Sequence, residues 1–157
     1  MAGPFRFDRT WVFGVAPAEL FATVSRTECF TDWWSWLRRC DVDGIRAGAG
    51  ATCVIRAPLP YSLRFDVRID RVEPDALIAT SVRGDLQGPA RLEISPDDAG
   101  CVARLTWSLE LRDPVLRRVA VLTRPAMEWA HDRVVAVGVA EFERHALADA
   151  ARPPRFV

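Results

Sequence analysis

The chain has 157 residues, half of them apolar, and its 21 basic and 21 acidic side chains leave no net charge. That length fits one domain with its own core, and that composition excludes a disordered chain. Interspersed, balanced charge argues against a dedicated nucleic-acid binder, which needs a basic face. Every basic residue is Arg, and neither Lys nor Asn occurs; GC-rich coding explains this without any function for arginine. No apolar run approaches the roughly 18 residues of a membrane span. Arg6, Asp8 and Arg9 stand where a signal peptide needs an apolar stretch, so a cytoplasmic protein is expected. Cys29, Cys40, Cys53 and Cys101 form no C-x-x-C motif, and only His131 and His145 could join them. Neither a metal nor a cofactor is therefore expected, and the thiols read as reduced and buried.

In chain order, Phe5, Phe7, Trp11 and Phe13 alternate with mostly polar partners, the period of a half-buried strand. Pro17 then suits a first helical turn and predicts a short helix over 17–25, with a second over 31–37. From 41 to 112 the pattern is strand after strand: 41–45, 51–56, 61–72, 77–83, 90–95 and 101–112. Their turns are Gly48-Ala49-Gly50, Pro58-Leu59-Pro60, Glu73-Pro74-Asp75, Gly84 to Gly88 and Pro96 to Gly100. The alternation is clearest at Leu63, Phe65, Val67 and Ile69, and at Cys101, Ala103, Leu105, Trp107, Leu109 and Leu111. Short turns between consecutive strands imply antiparallel pairing.

The last element changes period. Asp113-Pro114 reads as an N-cap and first helical position, and Val115, Val119, Leu122, Ala126, Trp129, Ala130, Val137 and Ala140 fall on one side of a wheel. Pro125 should kink or split this helix. The expected architecture is of the α+β class. A seven-stranded curved antiparallel sheet wraps a long C-terminal helix, with two short helices between the first and second strands. One domain covers 1–147, followed by a frayed tail over 148–157. A curved sheet closed by one helix need not fill, and the gap becomes a pocket.

Five segments stand out in order: Pro17-Ala18-Glu19-Leu20-Phe21, Trp33-Trp34-Ser35-Trp36, Val72-Glu73-Pro74, Gly84-Asp85-Leu86-Gln87-Gly88, and Arg124 to His131. Together they resemble the START/Bet v 1-like (SRPBCC) superfamily, whose members include polyketide cyclase/dehydrase and lipid-transport proteins. The resemblance runs from about Phe5 to Arg144. It implies a helix-grip fold with a hydrophobic ligand cavity, and no single activity.

No G-x-S-x-G, P-loop or H-E-x-x-H motif occurs, and the glycines from Gly44 to Gly50 precede a strand where a phosphate loop needs a helix. His131 and Asp132 are adjacent on a helix and do not face each other. No catalytic residue is assigned. Arg133 falls within the apolar stripe of the wheel, and Arg9 within the apolar face of the first strand. Each must either pair with a carboxylate, turn outward or anchor a polar ligand group. The expected ligand contacts are Arg9, Trp11, Tyr61, Phe65, Thr80, Trp107, Trp129, Arg133 and Val137, with Thr106 and Ser108 as further hydroxyls. The partner expected is a small hydrophobic ligand such as a lipid, polyketide or isoprenoid, with no nucleic acid and no membrane span. A homodimer is left open. The alternatives are a polyketide aromatase/cyclase and a protein-interaction module built on Trp33, Trp34 and Trp36.

Overall fold

The alternation read from the sequence becomes seven strands in a computed structural model, which describes residues 4–34, 36–42, 44–56, 62–115, 117–118 and 124–147. The strands are β1 (Phe5–Phe13), β2 (Leu37–Val42), β3 (Gly50–Ile55), β4 (Leu63–Glu73), β5 (Leu77–Gly84), β6 (Leu86–Asp97) and β7 (Gly100–Leu111). Helices α1 (Pro17–Val24) and α2 (Phe30–Trp33) lie between β1 and β2, and α3 (Arg124–Glu141) follows the sheet. A 3-10 turn, Thr27–Cys29, precedes α2, and a π-helical turn, Phe142–Leu147, continues α3. All neighbours pair antiparallel in the order β1-β7-β6-β5-β4-β3-β2. The result is the helix-grip architecture, a curved half-barrel with a C-terminal helix.

Register makes one face of this sheet apolar across its whole width. Trp11 stands opposite Ala103 and Phe7 opposite Trp107; Trp107 in turn faces Ala90, Ala90 faces Thr80 and Thr80 faces Ile69. On the far strands Phe65 faces Cys53, and Cys53 faces Cys40. The other face carries charge, including a two-pronged pair from Arg104 to Asp8 at 2.9 and 2.6 Å. Curvature has local causes. The registers of β2 on β3 and of β4 on β5 each shift once, and β6 bends at Gly88, whose φ is 141°. A Cβ at Gly88 would lie 2.0 Å from the Ser108 carbonyl oxygen, so only glycine permits this approach.

Both ends of the apolar face are closed. At one end Phe13, Leu20, Trp33, Ile94, Cys101, Ala103 and Phe142 form a buried cluster joining β1, α1, α2, β6, β7 and the turn after α3. Beside it Ala49, Ile69 and Ile78 form a smaller cluster, against which Phe21 and Val24 of α1 pack. At the opposite end Leu63 and Leu111 are buried with Phe5, Ile55 and Leu86 around them.

Three features depart from the sequence expectation. The second strand begins at Leu37, so the second helix is only four residues long and follows the 3-10 turn. Leu86 and Gln87 are inside β6 through pairing with Leu111 and Glu110 of β7, although the β5–β6 ladder ends at Val82 opposite Gly88 and the turn expected there still separates those two strands. The phase of the last helix is also different. Its packed side is Val135, Gly138, Val139 and Phe142, whereas Val115, Trp129 and Val137 are exposed. Asp113 caps the helical turn that begins at Pro114, its carboxylate accepting from the Val115 N–H at 2.7 Å. Residues 119–123, where a kink ahead of Pro125 would begin, and the tail 148–157 lie outside the described residues.

The packed side turns on a residue without a side chain. Trp34 Nε1 donates to the Gly138 carbonyl oxygen at 2.9 Å, and a Cβ at Gly138 would meet Trp36 Nε1 at 3.4 Å. Trp34 stacks on Trp36 and on Phe142, and Trp33 meets Phe142 edge-on. Trp36 Nε1 is buried and, among the described residues, has no hydrogen-bond partner. The two indole N–H groups therefore differ in worth. Trp34→Phe removes a made bond to the Gly138 carbonyl, while Trp36→Phe removes only an unmade one. Trp34→Phe should destabilise by about 1 to 2 kcal/mol more than Trp36→Phe, read from paired urea titrations.

Candidate functional site

The candidate site is the middle of the apolar face. Between the closed ends, Phe65, Val67, Thr80, Ala90, Leu92, Leu105, Trp107 and Leu109 are only half-buried. Large apolar residues on the packed side of a sheet normally reach full burial, so the middle of this face is only partly covered. Phe7 stacks on Trp107 with ring centroids 4.2 Å apart and on Trp11 at 6.3 Å, giving one wall a continuous aromatic surface. Thr80 is the hydroxyl on this face, and it donates to the Ala90 carbonyl oxygen at 3.0 Å. Its remaining lone pairs can still accept.

Arg9 supplies the charge. Its position in β1, between Phe7 and Trp11 on the same face, leaves it over the apolar surface, yet its side chain is 61% exposed. Its Nη2 lies 3.9 Å from Asp132 Oδ1, across the gap between β1 and α3. A pair this long and this exposed contributes little stability. It can open to a ligand without stranding a buried charge.

The expected contacts separate into three groups. Arg9, Trp11, Phe65, Thr80 and Trp107 share the apolar face of the sheet. Trp129, Arg133 and Val137 are exposed on α3. Trp129 stands half a turn round from Gly138, so it projects away from the packed side. Arg133 stacks over the Trp129 ring at 5.6 Å, which removes the buried, unpaired guanidinium that the wheel implied. Tyr61 lies outside the described residues, as do the side chains of His131 and His145. Thr106 and Ser108 alternate with Trp107 and face the charged side of the sheet. Trp33 is buried and Trp34 and Trp36 are half-buried, so much of the tryptophan segment is occupied in packing against α3. Missed from sequence were Val67, Ala90, Leu92 and Leu105; each lies in phase with a predicted contact on its strand or a neighbour, so register was the signal.

A depression of about 510 Å³ opens on the opposite, charged face, walled by Asp41, Thr52, Asp66, Arg68, Asp70, Ser81 and Arg83 among others. Much of that wall is satisfied internally: Thr52 donates to Asp66 at 2.8 Å, Arg68 lies 3.7 Å from Asp70, and Ser81 donates to Asp70. It offers an apolar molecule little to bury against. Among the described residues no group of three or more His, Cys, Asp or Glu could hold a metal, and no helix is long and apolar enough to cross a membrane.

Comparison with known proteins gives this geometry a family. No curated protein matches the chain. Solved structures do. TTHA0849 from Thermus thermophilus superposes with a TM-score of 0.72 at 15% identity, covering 93% of this chain and 98% of that one. The di-domain ARO/CYC StfQ of the steffimycin biosynthetic pathway gives 0.72 at 9% identity, over 94% of this chain and 52% of that one. Ara h 8.0201 gives 0.55 at 13% identity, over 85% and 99%. At such identities these likenesses show the fold alone. The family model for polyketide cyclase / dehydrase and lipid transport, however, matches residues 4–146. With nearly the whole chain matched, this protein belongs to the polyketide cyclase / dehydrase and lipid transport family.

Proposed function

We propose that the chain binds a small, mostly apolar molecule against the concave face of its sheet, with Arg9 at the rim holding a polar or anionic end. The observation that carries this reading is the half-buried middle of an otherwise closed apolar face. Covering such a surface is worth about 25 cal/mol per Å², so a flat hydrophobic ligand gains several kcal/mol from a few hundred Å². The aromatic wall of Phe7, Trp11 and Trp107 suits a planar or ring-bearing molecule. Lipids, polyketides and isoprenoids all meet these terms.

The family description and the likeness to an ARO/CYC protein support a second reading, cyclisation of a poly-β-keto chain. On that reading the concave face would fold the chain, and the Arg9 guanidinium would stabilise an enolate oxygen. The described positions of the face carry Arg9 as their charged group and no carboxylate or imidazole. Proton transfer would then have to be routed through groups beyond these positions, which favours the binding reading.

Native mass spectrometry of the protein as purified, followed by organic extraction, should reveal an apolar adduct near one per chain; a clean unliganded mass with no extractable compound counts against retention of a ligand. Ala90→Trp places an indole between Thr80 and Trp107 and should weaken binding of the fluorescent dye anilinonaphthalene sulfonate by about tenfold or more, with cooperative unfolding retained. Unchanged dye affinity would move the site elsewhere. Arg9→Leu should alter stability by less than about 1 kcal/mol, because the pair it breaks is exposed. The same variant should weaken a long-chain fatty acid severalfold more than the corresponding alcohol, measured by displacement of a neutral dye.

A further inference from the structure

Sheet register places Cys40 of β2 directly opposite Cys53 of β3, and their Sγ atoms are 3.3 Å apart. Directly opposed residues of an antiparallel pair have Cα atoms roughly 4.5 to 5.5 Å apart, inside the span that a disulfide bridges. The row continues from Cys53 to Phe65, so both thiols stand on the apolar face, toward its β2 edge. Cys53 is buried and Cys40 half-buried. The other two cysteines are placed differently. Cys101 is fully buried in the end cluster, and Cys29 sits 3.4 Å from an Arg26 nitrogen, with Glu28 beside it.

We propose that Cys40 and Cys53 form a reversible, peroxide-responsive thiol pair, in which Cys40 attacks the oxidant and Cys53 closes the disulfide. The pair lies at the β2 edge of the same apolar face, beside Phe65, and the inference does not depend on the proposed ligand contacts. The two thiols share one hydrogen bond in which either sulfur can donate; that bond lowers the Cys40 pKa, while partial burial and the neighbouring Asp41 carboxylate work against this and do not reverse it. The same hydrogen bond, with burial, pushes the Cys53 thiol up. Exposure separates the roles: half-buried Cys40 is the sulfur an oxidant reaches first, and buried Cys53 is left to resolve it.

The steps balance with a hydroperoxide as oxidant. Cys40 thiolate attacks one peroxide oxygen, an S–O bond forms, the O–O bond breaks, and hydroxide leaves and takes up a proton. Cys53 sulfur then attacks Cys40 sulfur, an S–S bond forms, the S–O bond breaks, and the departing oxygen leaves as water with the Cys53 proton. Two thiols and one hydrogen peroxide give one disulfide and two waters. The bond joins residues 13 positions apart and fastens edge strand β2 to the sheet.

The test is oxidation of the full chain with a few equivalents of hydrogen peroxide, followed by alkylation and peptide mapping without reductant. The expected product is a Cys40–Cys53 crosslink that dithiothreitol reverses and that forms at least about tenfold faster than Cys29 is oxidised. In Cys53→Ser, which cannot close the bond, dimedone should trap Cys40 as the sulfenic acid. Oxidation of Cys29 while Cys40 and Cys53 stay alkylatable would overturn the proposal, as would a crosslink through any other cysteine. Dimedone labelling of Cys29 but not Cys40 in the variant would overturn the assignment of Cys40 as nucleophile.

Discussion

The contact of Trp34 and Trp36 with Gly138 is the constraint on which the rest of the arrangement depends. At Gly138 the helix stands one small side chain from the two indoles, a Cβ there just reaching contact with Trp36, and the hydrogen bond from Trp34 to the Gly138 carbonyl fixes its height. Phe142, one turn further on, then reaches the cluster around Phe13 and Trp33. Fixing the C-terminal part of α3 at one end of the sheet leaves the middle of the sheet under-covered. The partial cover of Phe65, Thr80 and Trp107 goes with where the helix is held. A helix with a bulky residue at 138 would stand further off, and the closed end would open too.

The fold was legible because its information is local. Alternation in β4 and β7 states which residues share a face, and the short turns state the pairing, so class, strand number and face can be read without a structure. Residues on one face of the sheet, such as Trp11, Phe65, Thr80 and Trp107, were placed together for the same reason. The helix defeated the same logic. A wheel counts glycine as neutral, yet Gly138 is the centre of the packed side, and Trp129 counts as strongly apolar yet lies outside. The need for a buried partner at Arg133 arose only from that phase error; stacked on Trp129 at the surface it needs none.

Two other features depend on distance along the chain. That Asp132 reaches Arg9 is a meeting of the first strand with the last helix, and no periodicity announces it. Likewise Cys40 and Cys53 carry no signal in the sequence and meet only through the register of β2 on β3. The tryptophan segment carried a different ambiguity. Three indoles in four residues read equally well as an exposed docking surface or as an anchor, and the 3-10 turn followed by a four-residue helix turns them inward.

The sheet does not close into a barrel, so β1 and β2 each keep one unpaired edge. Such edges are templates for other strands, and chains that leave them flat and apolar polymerise. Here β2 carries exposed Arg38, Arg39 and Asp41 and a break in register between Leu37 and Arg39. Along β1, Arg6, Asp8, Arg9 and Thr10 are all exposed. A strand added to either side would have to strip water from alternating charges while following an irregular backbone. Neither border of the apolar face therefore offers the flat, uncharged template that fibrous self-assembly needs.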